Sequence, residues 1–212
     1  MIKQAIIPLA GLGTRLLPLT SVFAKELLPI NGKPGIQYIL DECIEAGIKE
    51  VVFIISKKKQ MIKNYFYNDS FYKKIIKKNC SKSMINIHSR HKSSVMASMN
   101  VNKKTVSRWG IFKLSKKLDK NNYLIKDVVE KPSVASAPSN KAVIGRYILP
   151  KKIFSKLSKQ KPGKGGEIHI TDAIQSLINE NSKFIAHNFS GKYLDCGSMN
   201  GYIKSTLEIA KS

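Results

Sequence analysis

Gln4-Ala5-Ile6-Ile7-Pro8-Leu9, running into Ala10-Gly11-Leu12-Gly13-Thr14-Arg15, is the stretch whose reading decides the fold. A short apolar run that breaks into glycines reads as a first strand followed by a tight loop. From Pro34 the spacing becomes helical. Ile36, Ile39, Leu40, Cys43 and Ile44 fall on one stripe, with Pro34 in the first turn and Gly47 at the C-terminal cap. Val51-Val52-Phe53-Ile54-Ile55 then forms an unbroken apolar run, the pattern of a strand buried on both faces. Strand, loop, helix, strand is a βαβ unit, and it predicts a parallel pair joined by a right-handed crossover. The loop after the first strand then lies at the carboxyl edge of a parallel sheet, where α/β folds take their ligands.

Gly11 and Gly13 permit left-handed backbone and let a ligand approach the main chain. Arg15 brings a planar donor fork suited to phosphate oxygens, and Lys25 a second cation within the same loop. Oriented amides and two cations are the parts of a triphosphate cradle. It is not a Walker loop, because no Gly-Lys-Ser/Thr closes it. It is not the dinucleotide fingerprint either, since Leu16 stands where a third glycine belongs.

Further along, one or two surface helices are expected over 57–79, with a break near Asn68-Asp69-Ser70. Met84–Ile87 reads as a short strand, and His88 and His91 as exposed loop residues. A hairpin turns at Asp119–Asn122, and Tyr123–Glu130 forms its second strand. Val143–Leu149 and Phe184–Phe189 read as strands, Pro150–Leu157 and Met199–Lys211 as helices. Thr171 is placed as the cap of a helix reaching Asn181, and Pro162–Gly166 as a flexible loop.

Composition narrows the function. The formal charge is +23, from 37 basic and 14 acidic residues. Only Arg15, Arg90, Arg108 and Arg146 are arginines, and the lysines are dispersed, which argues against nucleic-acid binding. No apolar run is long enough to span a bilayer. The N-terminus reads as a strand and not a leader, so a cytoplasmic location is expected. Cys43, Cys80 and Cys196 form neither a disulfide framework nor a zinc pattern.

The longer string Leu9–Pro18, then Lys25-Glu26-Leu27-Leu28-Pro29, Lys33-Pro34 and Ile36-Gln37-Tyr38, resembles the N-terminal signature of sugar-nucleotide pyrophosphorylases. Within these it is most similar to the bacterial UTP–glucose-1-phosphate uridylyltransferases. Trp109-Gly110, Val129-Glu130-Lys131-Pro132, Ala137–Asn140, Gly145-Arg146-Tyr147, Glu167-Ile168 with Thr171–Ile174, and Asp195-Cys196-Gly197 with Gly201-Tyr202 agree in order.

The resemblance implies an α/β fold: a single Rossmann-like nucleotidyltransferase domain over 1–212 with a mixed, mostly parallel central sheet. Its nucleotide-binding unit would be 1–66 and its sugar-phosphate-binding part 94–212, with 67–93 a truncated junction. It implies transfer of UMP from UTP to glucose 1-phosphate, with Mg2+ as cofactor and a homo-oligomeric assembly. By that resemblance Leu9, Ala10, Gly11, Gly13 and Glu26 bind the nucleotide, and Arg15 and Lys25 serve catalysis at the phosphates. Gly110, Glu130 and Lys131 bind the sugar phosphate, and Asp195 the metal. An interior segment is missing: the glycine-rich stretch that reads uracil, and a strand ending in a metal-binding aspartate. The alternative is a non-catalytic nucleotide- or sugar-phosphate-binding remnant.

Overall fold

The computed structural model describes residues 2–67, 80–161, 168–191 and 193–211. These fall into two compact units, Met1–Lys82 with Lys192–Ser212, and Ser83–Gly191.

In the first unit β1 (Gln4–Pro8) leads through the loop to a short α1 (Leu19–Val22) and a two-residue hairpin, β2 (Pro29–Ile30) and β3 (Lys33–Pro34). Then come α2 (Gly35–Glu45), β4 (Glu50–Ile54) and α3 (Gln60–Tyr67). β1 and β4 pair in parallel, Gln4 opposite Glu50 through Pro8 opposite Ile54, as the βαβ reading requires. α2 ends where Gly47, at φ 78°, turns left-handed and its amide donates to the Ile44 carbonyl at 3.0 Å. Ile7, Leu9, Ile36, Cys43 and Ile62 form this unit's core.

Two details of the first unit depart from the periodicity. Ile44 is 60% exposed, so the α2 stripe ends at Cys43. β4 is not buried on both faces either. Val51 and Phe53 pack inward, whereas Val52 and Ile54 are 37% and 51% exposed. Its one strand partner among the described residues is β1.

The second unit holds most of α4 (Cys80–His91), then β5 (Ser94–Asn100), β6 (Gly110–Lys117), β7 (Asn122–Glu130) and β8 (Lys141–Ile148). α5 (Lys152–Lys159), α6 (Ile170–Asn179) and β9 (Phe184–Asn188) complete it, while α7 (Met199–Ala210) belongs to the first unit. The strands close in the order β5-β8-β6-β7-β9. Only β5 and β9 run parallel there. The sheets are thus mixed, but the expectation of a mostly parallel sheet is corrected, because β6 and β7 form a hairpin and β8 runs antiparallel to both of its neighbours, β5 and β6. Met96, Phe112, Ile174, Leu177 and Phe184 are fully buried between the closed sheet and its helices.

Met84–Ile87 is helical, not a strand: Met84 and Ile87, three apart, are both buried on one face of α4. His88 and His91 stand in the last turn of that helix, half-buried, and His88 Nδ1 lies 2.8 Å from the Ser93 carbonyl oxygen. The expected break at 68–70 and the loop at 162–166 lie outside the described residues.

A polar chain ties α4, β7 and β9 together within this unit. His187 is buried, with Nε2 2.9 Å from Ser83 Oγ and Nδ1 2.8 Å from Asn122 Oδ1. The Asn122 amide nitrogen donates to both oxygens of Asp119 at 2.8 Å. This orientation makes Nδ1 the protonated nitrogen and leaves Nε2 to accept from the serine hydroxyl. Burial lowers the His187 pKa, and the Asp119 charge opposes that only in part. A histidine whose folded pKa is depressed binds fewer protons folded than unfolded. Its neutral form therefore contributes stability above the ordinary value of about 6.5, and the contribution is lost as pH falls below it. Thermal unfolding followed by circular dichroism should show a midpoint that drops as pH is lowered through about 6.5, and His187→Gln should flatten that slope. An unchanged slope in the variant would remove His187 as its source.

Candidate functional site

The loop that leaves β1 carries the first set of candidate residues. Leu9 is buried and its amide donates to the Ile54 carbonyl at 2.8 Å, so the ladder continues one residue past the strand. Gly13 lies at φ 72°, and a Cβ there would meet Thr20 Cγ2 at 3.0 Å, so both conformation and space require glycine. The side chain of Lys25 folds beneath this turn. Its Nζ is 3.6 Å from where a Cβ on Gly11 would stand, and its Cδ 3.3 Å from the equivalent point on Gly13. Arg15 is exposed, and neither Arg15 nor Lys25 joins an ion pair among the described residues.

Glu26 is engaged differently. Lys59 Nζ lies 2.7 Å from each of its carboxylate oxygens, and both side chains are nearly buried, at 7% and 10% exposure. The pair fixes the turn that bears Lys25. Lys59 was missed by sequence reasoning, since one lysine of a Lys-Lys-Lys run, far from Glu26 in the chain, carries no local signal.

Asp195 lies in the same unit, just before α7. Its Oδ1 accepts from the Gly197 amide at 2.9 Å. A Cβ on Gly197 would stand 3.1 Å from that oxygen and 3.6 Å from Arg15 Nη2, so carboxylate and guanidinium flank the same glycine. Among the described residues, no three His, Cys, Asp or Glu side chains converge where a metal ion would bind. A hard divalent cation needs an oxygen-rich shell. One carboxylate, already bonded to an amide and flanked by a guanidinium, does not fit it.

The second unit holds the other candidates around a pocket of about 240 Å³, lined by Trp109, Gly110, Glu130, Val143, Tyr147 and Thr171 among others. Gly110 and Glu130 are direct cross-strand partners on β6 and β7. A Cβ on Gly110 would meet Glu130 Oε2 at 3.0 Å and Val143 Cγ2 at 3.3 Å. The glycine thus keeps the carboxylate against bare backbone. Lys131 turns left-handed at φ 45°, its amide donates to the Trp109 carbonyl at 3.0 Å, and its Nζ lies 3.9 Å from Glu130 Oε1. Pair and glycine are brought together as the sequence placed them.

Thr171 corrects an expectation. The cap of α6 is His169, with no side-chain bond, and Thr171 sits inside the first turn. Its hydroxyl is buried, has no hydrogen-bond partner among the described residues, and borders the pocket. Glu167 lies outside the described residues.

A parallel βαβ start that opens into a glycine loop gives the first unit an α/β fold. The sequence model of the nucleotidyl transferase family matches residues 4–79 and 66–212. The chain is 32% identical to the UTP–glucose-1-phosphate uridylyltransferase of Bacillus subtilis, covering 99% of this chain and 91% of that protein. A UDP-glucose pyrophosphorylase solved in complex with UDP-glucose superposes with TM-score 0.90 at 34% identity, covering 100% of this chain and 99% of that one. A UTP-bound UDP-glucose pyrophosphorylase from Acinetobacter baumannii gives TM-score 0.83 at 26% identity, over 99% and 93%. The chain belongs to the UTP–glucose-1-phosphate uridylyltransferase family of nucleotidyl transferases. The Bacillus alignment runs over 268 positions against 212 residues here, so at least 56 positions of that relative have no counterpart. The two matched stretches of the family model meet within 66–79, ahead of α4.

Gly110→Ala tests the sugar-side pocket. The added methyl should displace the Glu130 carboxylate and press on Val143, with a stability loss of no more than about 3 kcal/mol. Titration should show glucose 1-phosphate binding weakened by about tenfold or more, since the displaced carboxylate loses charge-assisted bonds. Unchanged sugar-phosphate affinity would detach Gly110 from the site.

Proposed function

We propose that this protein transfers UMP from UTP to glucose 1-phosphate, giving UDP-glucose and pyrophosphate. The observation that carries this reading is the Lys25 ammonium against the Gly11–Gly13 backbone, with Arg15 exposed on the same loop and its guanidinium beside Gly197. A phosphate oxygen of glucose 1-phosphate attacks the α-phosphorus of UTP in line. The bond from that phosphorus to the bridging oxygen of the β-phosphate breaks, and pyrophosphate leaves with the electron pair. Nothing in the reaction requires a protein nucleophile, so positioning and charge neutralisation dominate.

In this reading the main chain of Leu9, Ala10, Gly11 and Gly13 holds uridine and phosphates. Arg15 takes the β- and γ-phosphates, whose charge grows as pyrophosphate leaves, and Lys25 the α-phosphate. Glu26 lies at the nucleotide end, where its pair with Lys59 fixes the turn that bears Lys25. Gly110 offers its backbone to the sugar, Glu130 accepts from glucose hydroxyls, and Lys131 meets the sugar phosphate. Asp195, the carboxylate that the family resemblance implies at the metal, would offer it a single ligand and no more. The divalent cation, Mg2+ in this reading, would arrive on the phosphates of the nucleotide, not in a cage built by this chain.

We take 1–212 as one nucleotidyltransferase domain, its 1–66 part serving the nucleotide and its 94–212 part the sugar phosphate, joined through 67–93. A cytoplasmic location accords with Cys43 and Cys196 standing outside any disulfide among the described residues, and no helix among the described residues is long and apolar enough to cross a membrane. We also take the working form as a homo-oligomer that does not bind nucleic acid. A second reading, binding without turnover, is favoured by one observation, the donor set that does not fit a metal.

Pyrophosphate release from UTP and glucose 1-phosphate decides between the two. The enzyme reading expects release that requires both substrates, and an Arg15→Ala variant with UTP affinity weakened by about tenfold or more. Binding of both substrates with no release would establish the second reading.

A further inference from the structure

We infer that Met61 is a positioning residue for the nucleotide loop: its thioether sulfur holds the backbone amide of Ala24 and so aims the Lys25 side chain that follows. This role rests on the uridylyltransferase reading of Lys25. It adds a residue on α3 that meets no substrate in that reading.

Ala24 is 7% exposed, so its main-chain polar groups need partners inside the protein. The carbonyl accepts from the Leu27 amide at 2.9 Å, which closes the short turn Lys25–Leu27. The amide donates to Met61 Sδ at 3.0 Å. A thioether is a weak acceptor, so this bond matters through where it holds the main chain more than through its strength. Met61 is itself anchored, packed against the core that includes Ile7, Leu9 and Ile62.

Lys25 is the next residue, and its side chain reaches back under the Gly11–Gly13 turn. That reach depends on the direction in which its Cα–Cβ bond leaves the chain, and the Ala24 peptide sets that direction. The start of α3 thus holds both neighbours of Lys25. Met61 binds the amide of Ala24 before it, and Lys59 the carboxylate of Glu26 after it. Without the sulfur, the Ala24 amide has no acceptor in a place closed to water. The main chain must rotate to find one, and Lys25 turns with it. A shift of about 1 Å in a positioned group is enough to lose much of its effect.

The test is calorimetric titration of the full chain with UTP and, separately, with glucose 1-phosphate, both in MgCl2. Met61→Leu keeps the side-chain volume and removes the acceptor. It should weaken UTP binding by about fivefold or more and leave glucose 1-phosphate binding and circular dichroism unchanged. A second pair of variants separates aim from packing. Ala24 has φ −62°, and Phe23 before it is extended at φ −113° and ψ 141°, so proline suits position 24 and brings no amide to satisfy. Met61→Ala should weaken UTP binding, and Ala24→Pro added to it should restore most of the loss, since the ring needs no acceptor and enters the space the sulfur left. Three results would each overturn the role of Met61 and leave the uridylyltransferase reading standing. They are unchanged UTP affinity in Met61→Leu, an equal loss for both ligands, and no recovery when Ala24→Pro joins Met61→Ala. No UTP binding by the unsubstituted chain would overturn both.

Discussion

Five residues of β1 lie in parallel register with five of β4, and that pairing fixes where the glycine loop emerges. Once Pro8 is opposite Ile54 and Leu9 donates to the Ile54 carbonyl, the chain can turn only at the carboxyl edge of the pair. The inward face, with Ile7, Val51 and Phe53, is held against α2 and α3 by ordinary apolar packing. Gly13 then turns left-handed and Lys25 closes under it, its ammonium near Gly11. The buried Glu26–Lys59 pair holds the far side of that turn. Loss of either partner would leave an uncompensated charge out of water.

The second unit solves a different problem with a different constraint. Gly110 faces Glu130 across the β6–β7 hairpin, and the missing side chain is what lets a carboxylate rest against main chain. The left-handed turn at Lys131 places its ammonium next to the same carboxylate. Thr171 adds a buried hydroxyl at the edge of the same pocket.

Much of this was legible because it is local. The β1 loop, the α2 period with its Gly47 cap, the hairpin around Asp119 and the terminal helix each follow from neighbours within a turn or two. What was not legible depends on contacts between distant segments or on length. Val51–Ile55 reads as buried on both faces, but its composition cannot report that Val52 and Ile54 stay exposed. Met84–Ile87 is too short an apolar piece for its period to be assigned, and tertiary packing decided for helix. Thr171 has the residue type of a cap, yet the helix begins one residue earlier. The family motifs point to Arg15, Lys25, Gly110 and Glu130. They gave no hint of Lys59, whose role exists only once α3 packs beside the loop.

The central claim is that nucleotide and sugar phosphate are read by two separate sets of residues, one in each unit. Amide chemical-shift mapping of the isotopically labelled full chain tests it most directly. The account predicts that UTP shifts Gly11, Gly13, Arg15 and Lys25, while glucose 1-phosphate shifts Gly110, Glu130, Lys131 and Thr171. Shifts by both ligands confined to one and the same set would contradict it.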